Sequence, residues 1–170
     1  MQFHVGDKVV HPVHGVGTIK TFSKEMFSGA RTQDYYQVTA GKATLWVPVD
    51  DQGGTVLRKI APKESLNECR RLLRHQPVPL DRDRKIRGVE LVRLMKDKLL
   101  PALCETVRDL QAHSQQTPLG RIESDLLKKT FKALCDEWAA ADGVTTQIAL
   151  GEIESLLQEG HQKLLVARRV

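Results

Sequence analysis

GDKVVHPVHGVGTI, residues 6–19, is the stretch that decides the fold of the N-terminal part of the chain. Glycine, proline and aspartate alternate there with short valine-rich runs, which is the pattern of a β-hairpin. Two histidines, His11 and His14, stand three residues apart at the connection, so the stretch could be half of a metal site or a turn that carries two imidazoles. The predicted strands are Lys8–His11 and Val16–Phe22, with turns at Gly6-Asp7 and Pro12–Gly15.

The residues around the two histidines favour a hairpin connection over a metal site. A zinc ion takes three or four protein ligands, and two imidazoles on one turn supply only two of them. The cysteines are far away in sequence, at Cys69, Cys104 and Cys135, and Asp7 is the one close carboxylate on this side of the turn. A metal site stays open as the less favoured alternative.

Length and composition indicate a globular protein with room for one large core or two small ones. The chain has 170 residues, of which 41% are hydrophobic and 28% charged, so it does not have the composition of a disordered segment. It contains no apolar run as long as a membrane span, and the start MQFHVGDK lacks the regions of a signal peptide. We therefore expect a cytoplasmic protein whose three cysteines, which form no CxxC pair, are reduced and buried on helix faces.

The first 60 residues have the composition of a small β domain. Six of the eight Phe, Tyr and Trp residues lie before position 47, and aromatic residues are enriched in strands. Five short strands within one small domain predict a strongly bent barrel or half-barrel, which closes its edges by curling. Beyond the first two strands, the predicted ones are Asp34–Val38, Thr44–Pro48 and Val56–Ile60.

After Ile60 the apolar residues recur with helical spacing, which predicts an all-α helical bundle. The first helix opens at Pro62–Ser65 and ends near His75, and Pro101 fits the first turn of a later helix better than its middle. The fold class is therefore α+β in two domains, 1–60 and 61–170. The other helices are predicted at 83–98, 100–114, 119–141 and 146–167, and their predicted core positions include Ile86, Val89, Leu91, Leu94, Met95, Ile122, Trp138, Ile148 and Ile153.

The excess of positive charge is concentrated in one segment. Residues 1–57 carry five Lys and Arg against five Asp and Glu, residues 58–98 carry thirteen against six, and residues 99–170 carry eight against ten. The middle segment therefore holds a net charge of +7, whereas a solvated helix face normally mixes both signs. Such a cluster is typical of a surface that binds a phosphate backbone.

Several motifs in this order resemble the CarD family of bacterial transcription regulators. GDKVVHPVHGVGTI, then YYQV and LWVPVD, is similar to the N-terminal domain of that family and to the RNA-polymerase-interacting module of the transcription-repair coupling factor. TVRDL at 106–110, DLLKKTFKALCDEWAAADG at 125–143 and IESLL at 153–157 are similar to the helical C-terminal domain of CarD proteins. The resemblance covers nearly the whole chain and implies a Tudor-like barrel in which the two histidines hydrogen-bond and pack within a tight turn.

The resemblance also implies that the barrel binds the β subunit of RNA polymerase through one exposed strand edge. Some relatives have an arginine in this contact where the present chain has Trp46, and a tryptophan suits either an interface anchor or the barrel core. Tyr35 and Tyr36 alternate across the sheet, so one of them should face solvent or a partner. The residues assigned to polymerase binding are Trp46, Tyr35, Tyr36 and Arg31.

For the helical domain, the resemblance implies binding to promoter DNA at the upstream edge of the melted bubble, where the family inserts a tryptophan into the minor groove. This chain departs from that pattern, because the matching position holds Arg82 or Asp81, and Trp138 belongs to an apolar helix stripe. The protein would then stabilise the open complex through cations alone, or stabilise it less. The residues assigned to DNA binding are Arg70, Arg74, Arg82, Arg84, Lys85 and Arg87.

A protein-only adaptor and an enzyme are the two alternatives to a regulator that binds polymerase and DNA. The departure at Arg82 leaves open a protein-only adaptor whose basic segment binds an acidic partner. An enzyme is disfavoured, because Gly15-Val16-Gly17 lies between strands and leads into no helix, and because no nucleophile or carboxylate pair stands in a promising setting. We expect a monomer with no catalytic residues, metal or cofactor, which associates with the nucleoid through RNA polymerase.

Overall fold

The computed structural model describes residues 3–25, 32–50, 53–94 and 99–167. It divides into two compact units, residues 1–60 and residues 61–170. The first unit holds all the strands of the described residues and the second holds all their helices. The secondary structure is therefore of the mixed α+β type that the composition predicts.

The N-terminal unit is an antiparallel sheet of five strands in the order β4-β3-β2-β1-β5. The hairpin of the opening stretch pairs Val10 with Val16 and His11 with Gly15, so it forms as predicted. A register shift between Ile19 and Thr21 marks a bulge in the longest strand. The strands are β1 Lys8–His11, β2 Gly15–Glu25, β3 Gln33–Ala40, β4 Ala43–Pro48 and β5 Arg58–Lys59.

Of the predicted barrel or half-barrel, the closed form is wrong for the part of the chain that the structure describes. Strands β4 and β5 are the two ends of the strand order and pair with one neighbour each, β3 and β1 respectively. Because β5 has only two residues, it offers too few backbone groups to close the sheet against β4. The sheet is therefore open, and β4 is an edge strand.

The sheet packs its apolar side chains on one face around Tyr36, which is fully buried. Phe3 and Phe22 pack on the Tyr36 ring with centroid distances of 5.8 Å and 5.1 Å. Gly17 lets β2 approach β3, because a Cβ atom there would lie 2.6 Å from Val38 Cγ1 and 3.0 Å from the Thr39 carbonyl oxygen. The other core residues are Val9, Ile19, Val38, Val47, Val49 and Leu57.

The described residues of the second unit form five helices close to the predicted positions. Pro101 lies in the first turn of its helix, as predicted, where a missing N–H costs no hydrogen bond. The fourth helix ends at Asp142, directly before Gly143. The helices are α1 Ser65–Arg74, α2 Arg84–Leu94, α3 Leu100–Ser114, α4 Arg121–Asp142 and α5 Thr146–Ala167.

Helices α1, α3, α4 and α5 pack on one apolar core. Trp138 is fully buried in it, which confirms its predicted core position. Its indole N–H donates to Glu152 Oε2 at 3.1 Å, so the polar atom of the side chain is satisfied. The core also contains all three cysteines together with Leu66, Leu73, Leu100, Leu103, Val107, Leu134, Ala149, Ile153 and Leu156.

Helix α2 departs from the predicted burial pattern. Leu91 is buried as predicted, but Ile86 and Val89 are 50% and 70% exposed. The buried residue on the other side of this helix is a charged one, Arg87. Helical spacing identified the helix correctly but not the face that it buries, because that face is chosen by a partner on another helix. Ile122 and Ile148 are likewise exposed, contrary to prediction, and the side chains of Leu94 and Met95 lie outside the described residues.

Candidate functional site

The two histidines of the opening stretch support a turn. His11 Nδ1 accepts hydrogen bonds from the backbone N–H groups of Val13, at 3.1 Å, and His14, at 3.2 Å. The two imidazole rings lie 4.9 Å apart between centroids. The interpretation that the histidines hydrogen-bond and pack within the turn is confirmed. Among the described residues, no three potential metal-ligating side chains cluster together.

Replacement of His11 by Ala should destabilise the N-terminal unit by about 1 kcal/mol, because the turn loses the acceptor of two hydrogen bonds. His14→Ala is the matched control, since it keeps both donors and the His11 acceptor while removing the neighbouring ring. Urea unfolding followed by tyrosine fluorescence measures the difference, because both tyrosines lie in this unit. Equal unfolding midpoints for the two variants would argue against the hydrogen-bonding role.

Edge strand β4 presents a tryptophan to solvent. Its outward side chains alternate with inward ones, so Thr44, Trp46 and Pro48 are exposed while Val47 is buried. Trp46 is 41% exposed and pairs in register with Gln37 of β3. The sequence left two positions open for the Trp46 side chain, an exposed anchor and the barrel core. In the structure the side chain lies at the surface.

The other residues assigned to polymerase binding differ in accessibility. Tyr35 is partly exposed, and its hydroxyl donates to Gln33 Oε1 at 3.4 Å. Tyr36 is fully buried and its hydroxyl accepts the Phe3 N–H at 3.3 Å, so its assignment as a surface contact is wrong. The expectation that one of the two tyrosines faces outward is met by Tyr35. Arg31 lies outside the described residues.

Three of the six cations assigned to DNA binding lie exposed around the start of α2: Arg82, Arg84 and Lys85. Asp83 caps this helix, because its Oδ1 accepts the backbone N–H groups of Lys85 at 2.7 Å and Ile86 at 3.3 Å. The second aspartate of the segment, Asp81, accepts the Asp83 N–H at 2.7 Å, so both aspartates accept hydrogen bonds from the backbone. The structure brings these three cations together at one end of a capped helix.

Arg87, in contrast, is a structural residue, and its assignment to DNA binding is wrong. It is 5% exposed, and its Nε donates to Glu123 Oε1 of α4 at 2.7 Å. A terminal nitrogen also donates to the Asp81 carbonyl oxygen at 2.6 Å, which holds the chain before α2 against the helix. The side chain joins α2 to α4 and is not available to an external phosphate.

The charge state of Glu123 follows from the same contact. Burial raises the pKa of the Glu123 carboxyl, but the hydrogen bonds from Arg87 and from the Gly120 N–H, together with the charges of Arg87 and Arg84, lower it more. The pKa therefore lies below its usual value of 4.5. The carboxyl stays ionised beside Arg87, as a buried ion pair requires.

The two arginines of α1 assigned to DNA binding are engaged by carboxylates of the helical unit. Arg70 Nε contacts Glu152 Oε1 at 2.6 Å, and its guanidinium lies 5.4 Å from the centre of the Trp138 ring. Arg74 Nε contacts Glu159 Oε2 at 3.0 Å. Arg70 is mostly covered, whereas Arg74 is about half exposed. Arg70 thus serves the packing of α1 against α4 and α5.

Helix α2 also carries an exposed apolar stripe that the sequence analysis missed. Ile86, Val89 and Val92 recur every three residues and are 50%, 70% and 73% exposed. The stripe belongs to the same helix whose N-terminal end carries the cations, and Arg93 is exposed beside Val92. An apolar stripe among cations suits a binding surface more than a solvated helix face. Helical spacing assigned Ile86 and Val89 to the core and did not identify Val92.

The cysteines are free and buried, as predicted. Burial raises the pKa of the Cys135 thiol to about 11. A hydrogen bond with Cys69, followed by burial, raises the pKa of Cys104, while the same hydrogen bond lowers that of Cys69. Cys104 and Cys135 are thus held as thiols, the form that is a weak nucleophile.

Within the described ranges, none of the helices combines the length and the hydrophobicity that a membrane-spanning segment needs.

The chain is similar to a known protein family and to a bacterial protein. Residues 3–61 match the family described as "CarD-like/TRCF RID domain". Over 148 residues the chain is 22% identical to a protein of Bacillus subtilis (strain 168) named "Putative transcription factor YdeB". The aligned residues make up 84% of this chain and 94% of that protein. The first match falls on the strand-rich unit, and the second extends over both units.

Proposed function

We propose, from the match of residues 3–61 to the CarD-like/TRCF RID domain family, that the protein regulates transcription by binding the RNA polymerase β subunit and promoter DNA. The N-terminal unit binds polymerase, and the helical unit binds DNA without strong sequence preference. The observation that carries the proposal is the exposed Trp46 on edge strand β4 of the N-terminal unit. Neither contact involves a reaction, so the protein acts by binding alone.

The edge of β4 suits a protein partner for two reasons. An edge strand presents backbone N–H and C=O groups that a strand of another protein can pair with. An exposed tryptophan adds a large apolar area with one donor, which is the composition of interface anchors. Tyr35, on neighbouring strand β3, is partly exposed and extends the candidate contact. Tyr36 takes no part, because it is buried in the sheet core.

The start of α2 suits DNA because its three cations are exposed and outnumber the two local carboxylates, Asp81 and Asp83, both of which accept backbone N–H groups. Lys and Arg contacts to phosphates supply most of the affinity of sequence-independent binding. The apolar stripe of Ile86, Val89 and Val92 adds side chains of the kind that contact or wedge into a minor groove. It gives this chain an apolar surface close to the position where the resemblance implies a tryptophan and the sequence has Arg82.

Two weak contacts on one chain reinforce each other. Once one unit is bound, the other is held at an effective concentration on the order of mM for a short linker. A protein that binds polymerase and upstream DNA together shifts the promoter complex towards the open state only if it binds that state better. We propose that stabilisation of the open complex is the regulatory output.

Removal of Arg82 and Lys85 tests the DNA contact. The double variant Arg82→Ala, Lys85→Ala should bind duplex DNA at least tenfold more weakly at low salt, and the slope of log K against log salt should fall by about 2, since each phosphate contact contributes about 0.9. Fluorescence anisotropy with a labelled promoter fragment measures both quantities. Arg84 is left in place because its charge acts on buried Glu123.

The matched control is Lys128→Ala, Lys129→Ala, which removes the same charge from an exposed part of α4. It should lower affinity only slightly through the change in net charge and leave the salt slope nearly unchanged. Equal effects of the two double variants would mean that DNA does not contact the start of α2.

A protein-only adaptor is the second candidate function. It is favoured by the ion pairs that Arg70, Arg74 and Arg87 form with carboxylates. Because of these pairs, fewer cations are available to DNA than the six assigned to it from the sequence. In that case the cations and apolar stripe of α2 bind an acidic, partly apolar protein surface. Absence of DNA binding by the wild-type chain at low salt, with polymerase binding retained, would favour the adaptor.

A further inference from the structure

A polar cleft lies between the C-terminal end of α1 and the C-terminal half of α5. It encloses about 490 Å³, which is within the range of about 300–1,000 Å³ typical of small-molecule sites. Its side chains are cations or carry hydrogen-bond donors. Its lining residues are Asn67, Arg71, Arg74, His75, Gln76 and Lys163.

A glycine brings the two walls of the cleft together. A Cβ atom on Gly160 of α5 would lie 2.8 Å from the carbonyl oxygens of Leu73 and His75, so only glycine permits this approach without displacement of the backbone. Lys163 follows almost one turn later, and its Nζ donates to the Arg74 carbonyl oxygen at 3.2 Å. The cations of α1 and α5 therefore converge because the helices touch at Gly160.

The cations keep donors to spare after their internal contacts are made. Arg74 uses Nε for Glu159, and its two terminal nitrogens have no hydrogen-bond partner among the described residues. The Lys163 ammonium donates one of its three hydrogens to the Arg74 carbonyl oxygen, which leaves two for a ligand. Arg71 is bound to Glu68 through Nε and one terminal nitrogen, which leaves the other terminal nitrogen available. Among the described side chains, the three cations thus contact two carboxylates, Glu68 and Glu159.

The cleft also counters the unfavourable end of a helix dipole. The C-terminus of α1 carries partial negative charge, which by itself repels an anion. Lys163 binds the Arg74 carbonyl and Arg108 binds the Leu72 carbonyl at 3.1 Å, so cations already cover these groups. These two contacts lower the negative potential that an anion in the cleft would otherwise meet at this helix end.

We propose that this cleft binds a phosphate-bearing anion. Arginine presents a planar fork that matches phosphate oxygens, and lysine adds a point charge, so Arg71, Arg74 and Lys163 together suit a group with several such oxygens. The phosphate belongs either to a free polyphosphate or nucleotide or to a nucleic-acid backbone. The proposal does not depend on the DNA contact at the start of α2.

Titration calorimetry of the full chain with inorganic pyrophosphate tests the cleft. The wild type should bind one pyrophosphate saturably, and the variant Arg71→Gln, Lys163→Gln should bind it at least tenfold more weakly. The glutamine amide at 163 can still donate to the Arg74 carbonyl, which protects the contact between the helices. Lys129→Gln, which neutralises one exposed cation elsewhere on α4, is the control and should bind as the wild type does.

A parallel titration with duplex DNA identifies the source of the phosphate. If the cleft binds backbone phosphate, the same variant lowers DNA affinity and reduces the salt slope, and pyrophosphate competes with DNA. If it binds a free anion, pyrophosphate binding is lost while DNA affinity is unchanged. Wild-type chain that binds no pyrophosphate saturably, with DNA affinity insensitive to the variant, overturns the proposal, as does an equal loss in Lys129→Gln. Loss of DNA binding through Arg82 and Lys85 alone bears on the proposed function and not on the cleft.

Discussion

Replacement of Arg87 by Ala is expected to destabilise the helical unit by about 3–5 kcal/mol, the cost of leaving a buried charge without its partner. Glu123, the carboxylate left behind, is 6% exposed. Of the interactions that keep it ionised, only the hydrogen bond from the Gly120 N–H and the charge of Arg84 would remain. The chain before α2 would also lose the donor to the Asp81 carbonyl. Chemical unfolding followed by helical circular dichroism measures the change.

Two controls separate burial from charge. Arg82→Ala removes the same charge five residues earlier from an exposed site and should change the free energy of unfolding by less than about 0.5 kcal/mol. The double variant Arg87→Met, Glu123→Leu removes both charges together and should recover much of the lost stability, because no charge stays buried. A destabilisation by Arg87→Ala no larger than that of Arg82→Ala would contradict the buried ion pair.

The same pair predicts how stability responds to acid. The folded-state pKa of Glu123 lies below its value in the unfolded chain, so the unfolded state takes up this proton first as the pH falls. The stabilisation is complete above the usual value of 4.5, which applies to the unfolded chain, and is lost as the pH falls through the folded pKa. The variant Glu123→Gln should therefore show a smaller loss of stability than the wild type between about pH 5 and the folded pKa of Glu123.

The second large effect is expected on polymerase binding. Trp46→Ala in the full chain should weaken binding to the polymerase β subunit by about 30-fold or more, since truncation of a tryptophan anchor costs about 2 kcal/mol or more. The fold should survive, because the side chain is 41% exposed on an edge strand. Biolayer interferometry with immobilised β subunit gives the affinities, and urea unfolding checks the fold.

Thr44→Ala is the matched control for Trp46, because Thr44 is exposed on the same face of β4 two residues earlier. It should change the affinity by less than about threefold, as most interface positions do. If Trp46→Ala binds as tightly as the wild type, the outward face of β4 is not the polymerase contact, and Tyr35 on β3 becomes the next residue to test.

Local patterns were sufficient to predict most of the secondary structure. Turn residues around valine-rich runs located β1 to its residue bounds, and helical spacing with Pro101 located the start of α3. These signals act over a few residues, so they can be read from the chain without knowledge of the fold. The exposure of one tyrosine and burial of the other follow from the same two-residue alternation, although alternation does not say which of them is inside.

The errors fall where distant residues decide the outcome. Arg87 is buried because Glu123, 36 residues later, meets it, and no local pattern contains that contact. With Arg87 turned inward, Ile86 and Val89 point outward, although their spacing is that of a core face. Barrel closure likewise depends on pairing between the first and last strands of a sheet, which is set by strand length and curvature together. Arg70 and Arg87 therefore drop out as exposed DNA candidates, because distant carboxylates bind them and cover them.

The decisive measurement compares the affinity of the full chain for RNA polymerase alone and for polymerase on promoter DNA. If the two units tether polymerase and DNA, polymerase alone binds, the promoter complex binds at least tenfold more tightly, and Arg82→Ala, Lys85→Ala removes that gain while leaving the first affinity unchanged. No binding to polymerase in either form would contradict the proposed function. Equal affinity for the two forms would contradict the tether and leave a protein that binds polymerase only.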